Sequence, residues 1–365
     1  MKISLIDPVG GHGGMDYYDY GLAQGLGGND VLVDYFTCNN TIHRDFKNVS
    51  LFRTFGNIWC AKGLRRGYFF FRGYIKAFQN SRKNGSHVFH LHFFNLGLLN
   101  LSVLMIAFFF KQRKVVTLHD VNSFHVSSNR LIERLSMFFI DGIIVHNLAS
   151  RTALVKKKLS LPKLEVIPHG NYLHFVSMLP IPKNKEKMNL LFFGQIKEVK
   201  GLDILLKALV IVVKKNANFK LTIAGRPWKT DGDHYEKMVM DLGLDNYVER
   251  HFRFIQDNEV ADLYKKADVV ILPYKRIYQS GVLLLTWSYG RTVIASNLDP
   301  FTELITNFEN GFLFESENPD NLASSILKLN HKDILRTTLN SRKLIKNKFD
   351  WTKIGQQTLN FYRTL

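Results

Sequence analysis

Residues Ala267–Ser296, ADVVILPYKRIYQSGVLLLTWSYGRTVIAS, read as strand, loop, helix and strand in succession. Val269 to Leu272 is an apolar run stopped by Pro273, the composition of a strand buried on both faces of a parallel sheet. The loop then delivers Gln279, Ser280 and Gly281 to the start of an apolar helix. Free backbone N–H groups and the helix macrodipole make such a start a ready anion site, and its geometry suits a diphosphate. Every βαβ unit offers a helix start, with or without a ligand, so the segment speaks for the fold before it speaks for a function.

Outward from this stretch, short apolar runs alternate with helical spacing along the whole chain. Downstream of residue 187 the runs are Leu190 to Phe193, Phe219 to Ala224, Val269 to Leu272 and Val293 to Ala295, with helices expected near 202–214, 259–266, 282–289 and 321–329. Upstream they are Ile3 to Ile6, Val31 to Tyr35, Val88 to Leu91, Val115 to Leu118, Gly142 to Val145 and Leu164 to Ile167. The Pro- and Lys-rich passage MLPIPKNKEK, residues 178–187, separates the two series as a linker. This predicts an α/β protein of two doubly wound parallel-sheet, Rossmann-like domains, residues 1–180 and 188–350, facing a shared interdomain cleft at the carboxyl ends of their strands. The tail, 351–365, sets Trp351, Ile354, Phe361 and Leu365 on one helical face and is expected to pack back onto the first domain.

Composition narrows the partners. Of 365 residues, 46% are hydrophobic, which supports two full cores and excludes a disordered chain. Lys and Arg outnumber Asp and Glu by 49 to 31, and between Phe46 and His119 there is no acidic residue at all. Something anionic is expected to meet that face: nucleic acid, an anionic membrane surface or a phosphorylated ligand. No nucleic-acid motif accompanies the charge, so nucleic acid is not expected. Two cysteines form no disulfide framework, and MKISLIDPVGG reads as a first strand, so a cytoplasmic location is expected. LGLLNLSVLMIAFFF, residues 96–110, is shorter than the roughly 20 residues a bilayer span needs and is expected to be a buried helix.

Several constellations could carry chemistry. Asp7–Gly14, DPVGGHGG, follows the first strand and can bring bare backbone close to a phosphate, although it is neither G-x-G-x-x-G nor a P-loop. Lys200-Gly201 introduces a helix, a place where the dipole disfavours a cation unless a ligand anion joins it. Asp231-Gly232-Asp233 has the spacing of a metal-binding D-x-D but sits where Asp serves as turn residue and helix cap. His90 and His92 share one face of a strand and are expected to be satisfied rather than ligands. The histidines form no zinc motif, and no metal site is expected. LRRGYFFFRGYIKAF, residues 64–78, interleaves Arg65, Arg66, Arg72 and Lys76 with aromatics and is expected to meet an anionic membrane surface.

The ordered set of Gly13-Gly14, LLFFGQI, KGLDILLKA, LTIAGRP, ADVVILPY, the QSG loop, GRTVIAS and ENGFLF resembles the retaining glycosyltransferases of family 4 over nearly the whole chain. The resemblance implies a GT-B fold and a metal-independent transfer of a hexose or hexosamine from a nucleotide diphosphate sugar. The implied acceptor is a glycan, expected to be polyprenyl-diphosphate- or otherwise lipid-linked, met by an enzyme peripheral at the inner face of the cell membrane. It assigns His119 to the donor sugar and Lys200 to the diphosphate, approached by Gly13 and Gly14. It places Gly194, Gln195, Gly225, Ser280, Gly281 and Val282 at the donor, a substrate rather than a cofactor. Two departures stand out: Gly194-Gln195 replaces a Gly-Arg pair, and the family's E-x7-E is absent, its second Glu falling on Leu285 or Thr286. They keep two alternatives open, a nucleotide-sugar epimerase and a non-catalytic scaffold of the same fold bound to membrane.

Overall fold

The computed structural model describes residues 1–11, 14–121, 129–228 and 232–365. The chain divides into two compact units, one of Met1–Gly170 with Lys348–Leu365 and one of Asn171–Asn347.

Among the described residues the first unit holds a seven-stranded parallel sheet. Its strands are β1 (Lys2–Ile6), β2 (Leu32–Phe36), β3 (Val49–Phe52), β4 (Val88–Phe93), β5 (Arg113–Leu118), β6 (Gly142–Val145) and β7 (Lys163–Val166), ordered β3-β2-β1-β4-β5-β6-β7. The second unit repeats the plan with β8 (Met188–Phe193), β9 (Phe219–Ala224), β10 (Val248–His251), β11 (Val269–Leu272), β12 (Thr292–Ser296) and β13 (Phe312–Phe314), ordered β10-β9-β8-β11-β12-β13. Both orders reverse direction beside the first strand of the unit, the switch point at which doubly wound sheets bind ligands. The two Rossmann-like domains expected from the alternation are therefore present.

Three strands escaped the apolar-run reading. VSLF (β3) and VERH (β10) are edge strands with mostly half-buried residues, and FLF (β13) is only three residues long. A further helix, His331–Asn347, buries Ile334, Thr337, Thr338, Ser341 and Ile345 at helical spacing, so three of its five inward positions are hydroxyl residues that a search for apolar periodicity passes over.

The helix expected to be buried at 96–110 is α3 (Leu98–Phe108), and it is only half covered. Leu101, Val103, Leu104 and Ala107 enter the core with α2 (Gly63–Lys83) and α4 (Arg130–Phe138), while Leu98, Leu99, Met105 and Phe108 stand in solvent. A crossover helix covers the sheet with one face only, and in α3 the other face is apolar too.

The carboxyl-terminal helix α13 (Trp351–Arg363) lies against α1 (Met15–Gly28) in the first unit. The contact depends on small residues: a Cβ on Gly21 would come within 2.1 Å of the Trp351 ring, and one on Gly25 within 2.0 Å of the Trp351 carbonyl oxygen. The passage 178–187 is held by the second unit's own cations. Buried Arg291 donates to the carbonyl oxygens of Pro180 and Tyr264, each at 2.8 Å, and Arg342 donates to that of Leu179.

Candidate functional site

The second unit brings several of the sequence candidates together at the carboxyl ends of β8, β9 and β11. β8 ends at Gly194, whose φ of 101° is a left-handed-side conformation that glycine adopts freely. A Cβ there would lie 3.2 Å from the Lys200 Nζ and 3.3 Å from Val282 Cγ2, so the bare face of Gly194 is where Lys200 and the start of α9 (Gly281–Ser288) converge. Gly225, just past β9, meets the Gly194 carbonyl so closely that a Cβ would approach its oxygen to 1.9 Å. Ser280 caps α9 by accepting a hydrogen bond from the Leu283 N–H at 3.2 Å. The earlier N–H groups of that helix have no partner inside it, as at any helix start. Gln195 is exposed beside this rim.

Lys200 ends a 3-10 turn, Glu198–Lys200, ahead of α6 (Leu202–Lys215). Among the described residues no carboxylate pairs with its ammonium, which rests 5.4 Å from the Tyr274 ring centre. Burial, aided by the charge of Lys197, pushes the ammonium down to about 8. A partly desolvated cation with no paired carboxylate among the described residues is costly, and an anionic ligand would relieve that cost. Neighbouring Lys275, by contrast, is paired with Asp203 at 3.0 Å.

The positions of the missing acidic pair are occupied otherwise. Leu285 is half-buried. Thr286 is buried, donating to the Val282 carbonyl at 2.7 Å and lying 3.2 Å from the Tyr264 hydroxyl. Neither offers a carboxylate. Arg226 is exposed next to Gly225, and its carbonyl accepts from the Ile196 N–H at 3.0 Å; the sequence reading missed this cation although it follows a named glycine.

The first unit finishes its strand ends with imidazoles. His90 and His92 lie on β4, His119 follows β5, His146 follows β6, and His169 lies beyond β7; all five are buried. Tyr18 of α1 stands among them, its ring centre 4.9 to 5.3 Å from those of His92, His119, His146 and His169. Burial holds His92 and His146 down to about 4 and His169 to about 3; burial and the neighbouring histidines hold His119 well below its usual value. His119 is thus a neutral imidazole, with Nε2 3.5 Å from His92 Nδ1. His90 is satisfied on both nitrogens, 2.5 Å from the Tyr362 hydroxyl and 2.7 Å from the Thr117 hydroxyl. The signal for this group was legible: HVFHLH, VVTLH, IIVH and VIPH each place a histidine at or near the end of an apolar run.

Asp7, Asp19 and His92 set ligand-type atoms within 4.8 Å of one another, the one such group found among the described residues. Burial and the neighbouring Asp19 raise Asp7 well above the carboxylate range, and burial takes Asp19 up to about 7. Tyr35 donates to Asp19 at 2.7 Å.

Of the remaining candidates, Gly14 caps α1 with φ 81°, whereas Gly13 lies outside the described residues, as does Asp231 of the D-x-D. Arg65, Arg66 and Lys76 are exposed on α2, and Arg72 is half-exposed. Arg66 stacks over Trp59 at 4.5 Å, Arg65 over Phe69 and Arg72 over Tyr68, each at 5.8 Å.

Two like-ordered parallel sheets, one with glycine turns and a capped helix start at its rim, define the GT-B class. A sucrose-phosphate synthase from Thermosynechococcus elongatus aligns over 100% of this chain and 98% of its own at a TM-score of 0.78 and 19% identity. Anabaena HepE, solved with UDP, aligns over the whole of both chains at 0.75 and 18%. Residues 187–332 match the family model of the glycosyl transferases group 1. An uncharacterized glycosyltransferase of Methanocaldococcus jannaschii is 29% identical over 50% of this chain and 46% of its own. The phosphatidyl-myo-inositol mannosyltransferase of Mycolicibacterium smegmatis is 26% identical over 67% and 65%. The chain thus spans about half to two thirds of the length of these curated relatives.

Proposed function

We propose that this chain is a glycosyltransferase of polysaccharide or glycolipid biosynthesis that moves a hexose or hexosamine from a nucleotide diphosphate sugar to a glycan acceptor, with retention at the anomeric carbon. The observation that carries the reading is the Lys200 ammonium, half-buried and without a carboxylate partner among the described residues, beside the bare Gly194 and the Ser280-capped start of α9. Breaking the anomeric C–O bond leaves its electron pair on the departing diphosphate. Preorganised N–H donors and an ammonium stabilise that charge more in the transition state than in the ground state. The acceptor hydroxyl oxygen bonds to the anomeric carbon from the leaving-group side and passes its proton to the departing phosphate oxygen, so neither a metal ion nor a protein base is called for.

UDP as leaving group is supported by Anabaena HepE, whose structure has been solved in complex with UDP and glucose. A surface-glycan acceptor is supported by CapM, a capsular polysaccharide biosynthesis glycosyltransferase of Staphylococcus aureus that is 24% identical over 71% of this chain. The mannosyltransferase relative's lipid acceptor and the basic helix α2 support a lipid-linked acceptor met at an anionic membrane surface, with Arg65, Arg66, Arg72 and Lys76 toward the headgroups. His119 acts on the donor sugar in this reading, by resemblance. A non-catalytic scaffold is the second reading, favoured by the absence of a carboxylate at Leu285 and Thr286.

A thermal-shift screen against UDP, GDP, ADP and their sugars, followed by a product assay with and without acceptor glycans, tests the reading. A nucleotide sugar is expected to stabilise the chain and be consumed only with acceptor, and Lys200→Ala is expected to lower turnover at least about 100-fold. Consumption without acceptor would point to an epimerase, and no binding of any donor to a scaffold.

A further inference from the structure

Helix α3 contains no charged residue, an anomaly for a helix with one face in water. Its outward stripe runs Leu98, Ser102, Met105 and Phe109, spaced i, i+4, i+7 and i+11, with Leu98 66% and Phe109 84% exposed. Its two polar side chains are engaged within the chain: Ser102 donates to the Leu98 carbonyl at 2.9 Å and Asn100 to the Asn95 carbonyl at 2.5 Å. Adjacent α4 repeats the pattern with Leu131, Leu135 and Phe138, the last 76% exposed. The rings of Phe108 and Phe138 join the two stripes at 6.4 Å. Contiguous apolar surface of this extent marks an interaction site.

The charges beside the stripes identify the occupant. Exposed Lys111 follows α3, and exposed Arg130 and Arg134 lie on α4. Helices α2 and α3 carry no acid, and the one acid of α4, Glu133, is buried against Lys157. A second copy docked face to face would set these cations against their own kind, whereas an anionic bilayer complements both the apolar stripes and the cations. No helix among the described residues is long and apolar enough to cross a membrane, so the contact lies on the surface.

We infer that the α3–α4 face is a lipid-insertion surface that seats Phe109 and Phe138 in the acyl boundary of an anionic bilayer. It deepens the membrane part of the proposed function and rests on that part alone, not on the chemistry. The basic helix α2 supplies long-range attraction, and the phenylalanines add a component that salt does not screen.

Co-sedimentation of the full chain with vesicles of phosphatidylcholine alone and with about 30% phosphatidylglycerol, at low and high salt, tests it, the composition being chosen to give a substantially negative surface. The Phe109→Ser/Phe138→Ser variant should lose at least about tenfold in partitioning onto anionic vesicles at both salt concentrations while keeping its circular dichroism. Arg65→Glu/Arg66→Glu/Arg72→Glu should lose binding mainly at low salt. Unchanged partitioning of the phenylalanine variant, with loss only in the arginine variant, overturns the insertion surface and leaves the membrane reading standing. No binding of the unaltered chain overturns both. A dimer of the unaltered chain that the phenylalanine variant abolishes, with vesicle binding unmoved, assigns the face to self-association instead.

Discussion

Both units build the same strand order, yet the carboxyl ends of their strands are finished in opposite ways. In the first, the imidazoles of His92, His119, His146 and His169 surround Tyr18, with His90, Asp7 and Asp19 buried beside His92. In the second, bare glycine at Gly194, an ammonium at Lys200 with no carboxylate partner among the described residues, and an N-capped helix start remain. The first rim presents neutral imidazoles, and His92 Nε2 and His146 Nε2 stay buried there without a hydrogen-bond partner among the described residues. The second carries a positive charge that a ligand anion can answer, which sets a rim suited to a diphosphate apart from one of neutral imidazoles, His119 among them, on the same plan.

Stability should divide the two units in the same way. The largest effect is expected at the seam that closes the first unit. Trp351→Ala removes a fully buried ring from the notch formed by Gly21, Gly25 and Gly170, and should cost about 3–5 kcal/mol in denaturant titration. Less than about 1 kcal/mol would mean that α13 is not an integral part of that unit's core.

Acid is expected to act next. The five histidines have folded-state values below their unfolded ones, so between about pH 6.5 and pH 4 the unfolded chain binds more protons and stability falls as pH falls. Asp7 and Asp19 are raised, so their contribution has the opposite sign: present at low pH and lost as pH rises through about 7 for Asp19. Five groups against two make the net slope positive below pH 6.5. Denaturation at pH 7 and pH 5 should show the chain weaker at pH 5 by a few kcal/mol, and His146→Gln should flatten that slope by an amount on the order of 1–2 kcal/mol. A chain equally stable at both pH values would show that these imidazoles reach solvent.

Much of this was legible in the amino-acid order because buried parallel strands leave nearly continuous apolar runs, as VVIL and GIIV do. The edge strand VERH was not, since only Val248 of its four residues is buried, and neither was the helix His331–Asn347, whose inward positions include hydroxyl residues that packing, not hydropathy, accommodates. At the rim, sequence spacing nominated Lys200, Gly194 and Ser280 separately. Their convergence arises from a long-range register, β8 beside both β9 and β11, which no local pattern encodes. The outward apolar face of α3 was hidden for the opposite reason: a hydrophobic helix reads as core wherever it lies.

The measurement closest to the proposed difference between the rims is calorimetric titration of the full chain and of Lys200→Met with UDP, joined to their melting temperatures without ligand. Removing a half-buried cation that no carboxylate pairs among the described residues should leave the unliganded variant as stable as the parent or more so, while UDP affinity falls by at least about tenfold. A variant that binds UDP as tightly as the parent, or one destabilised without ligand, would show that Lys200 serves the fold and that the second unit's rim is not built around a diphosphate.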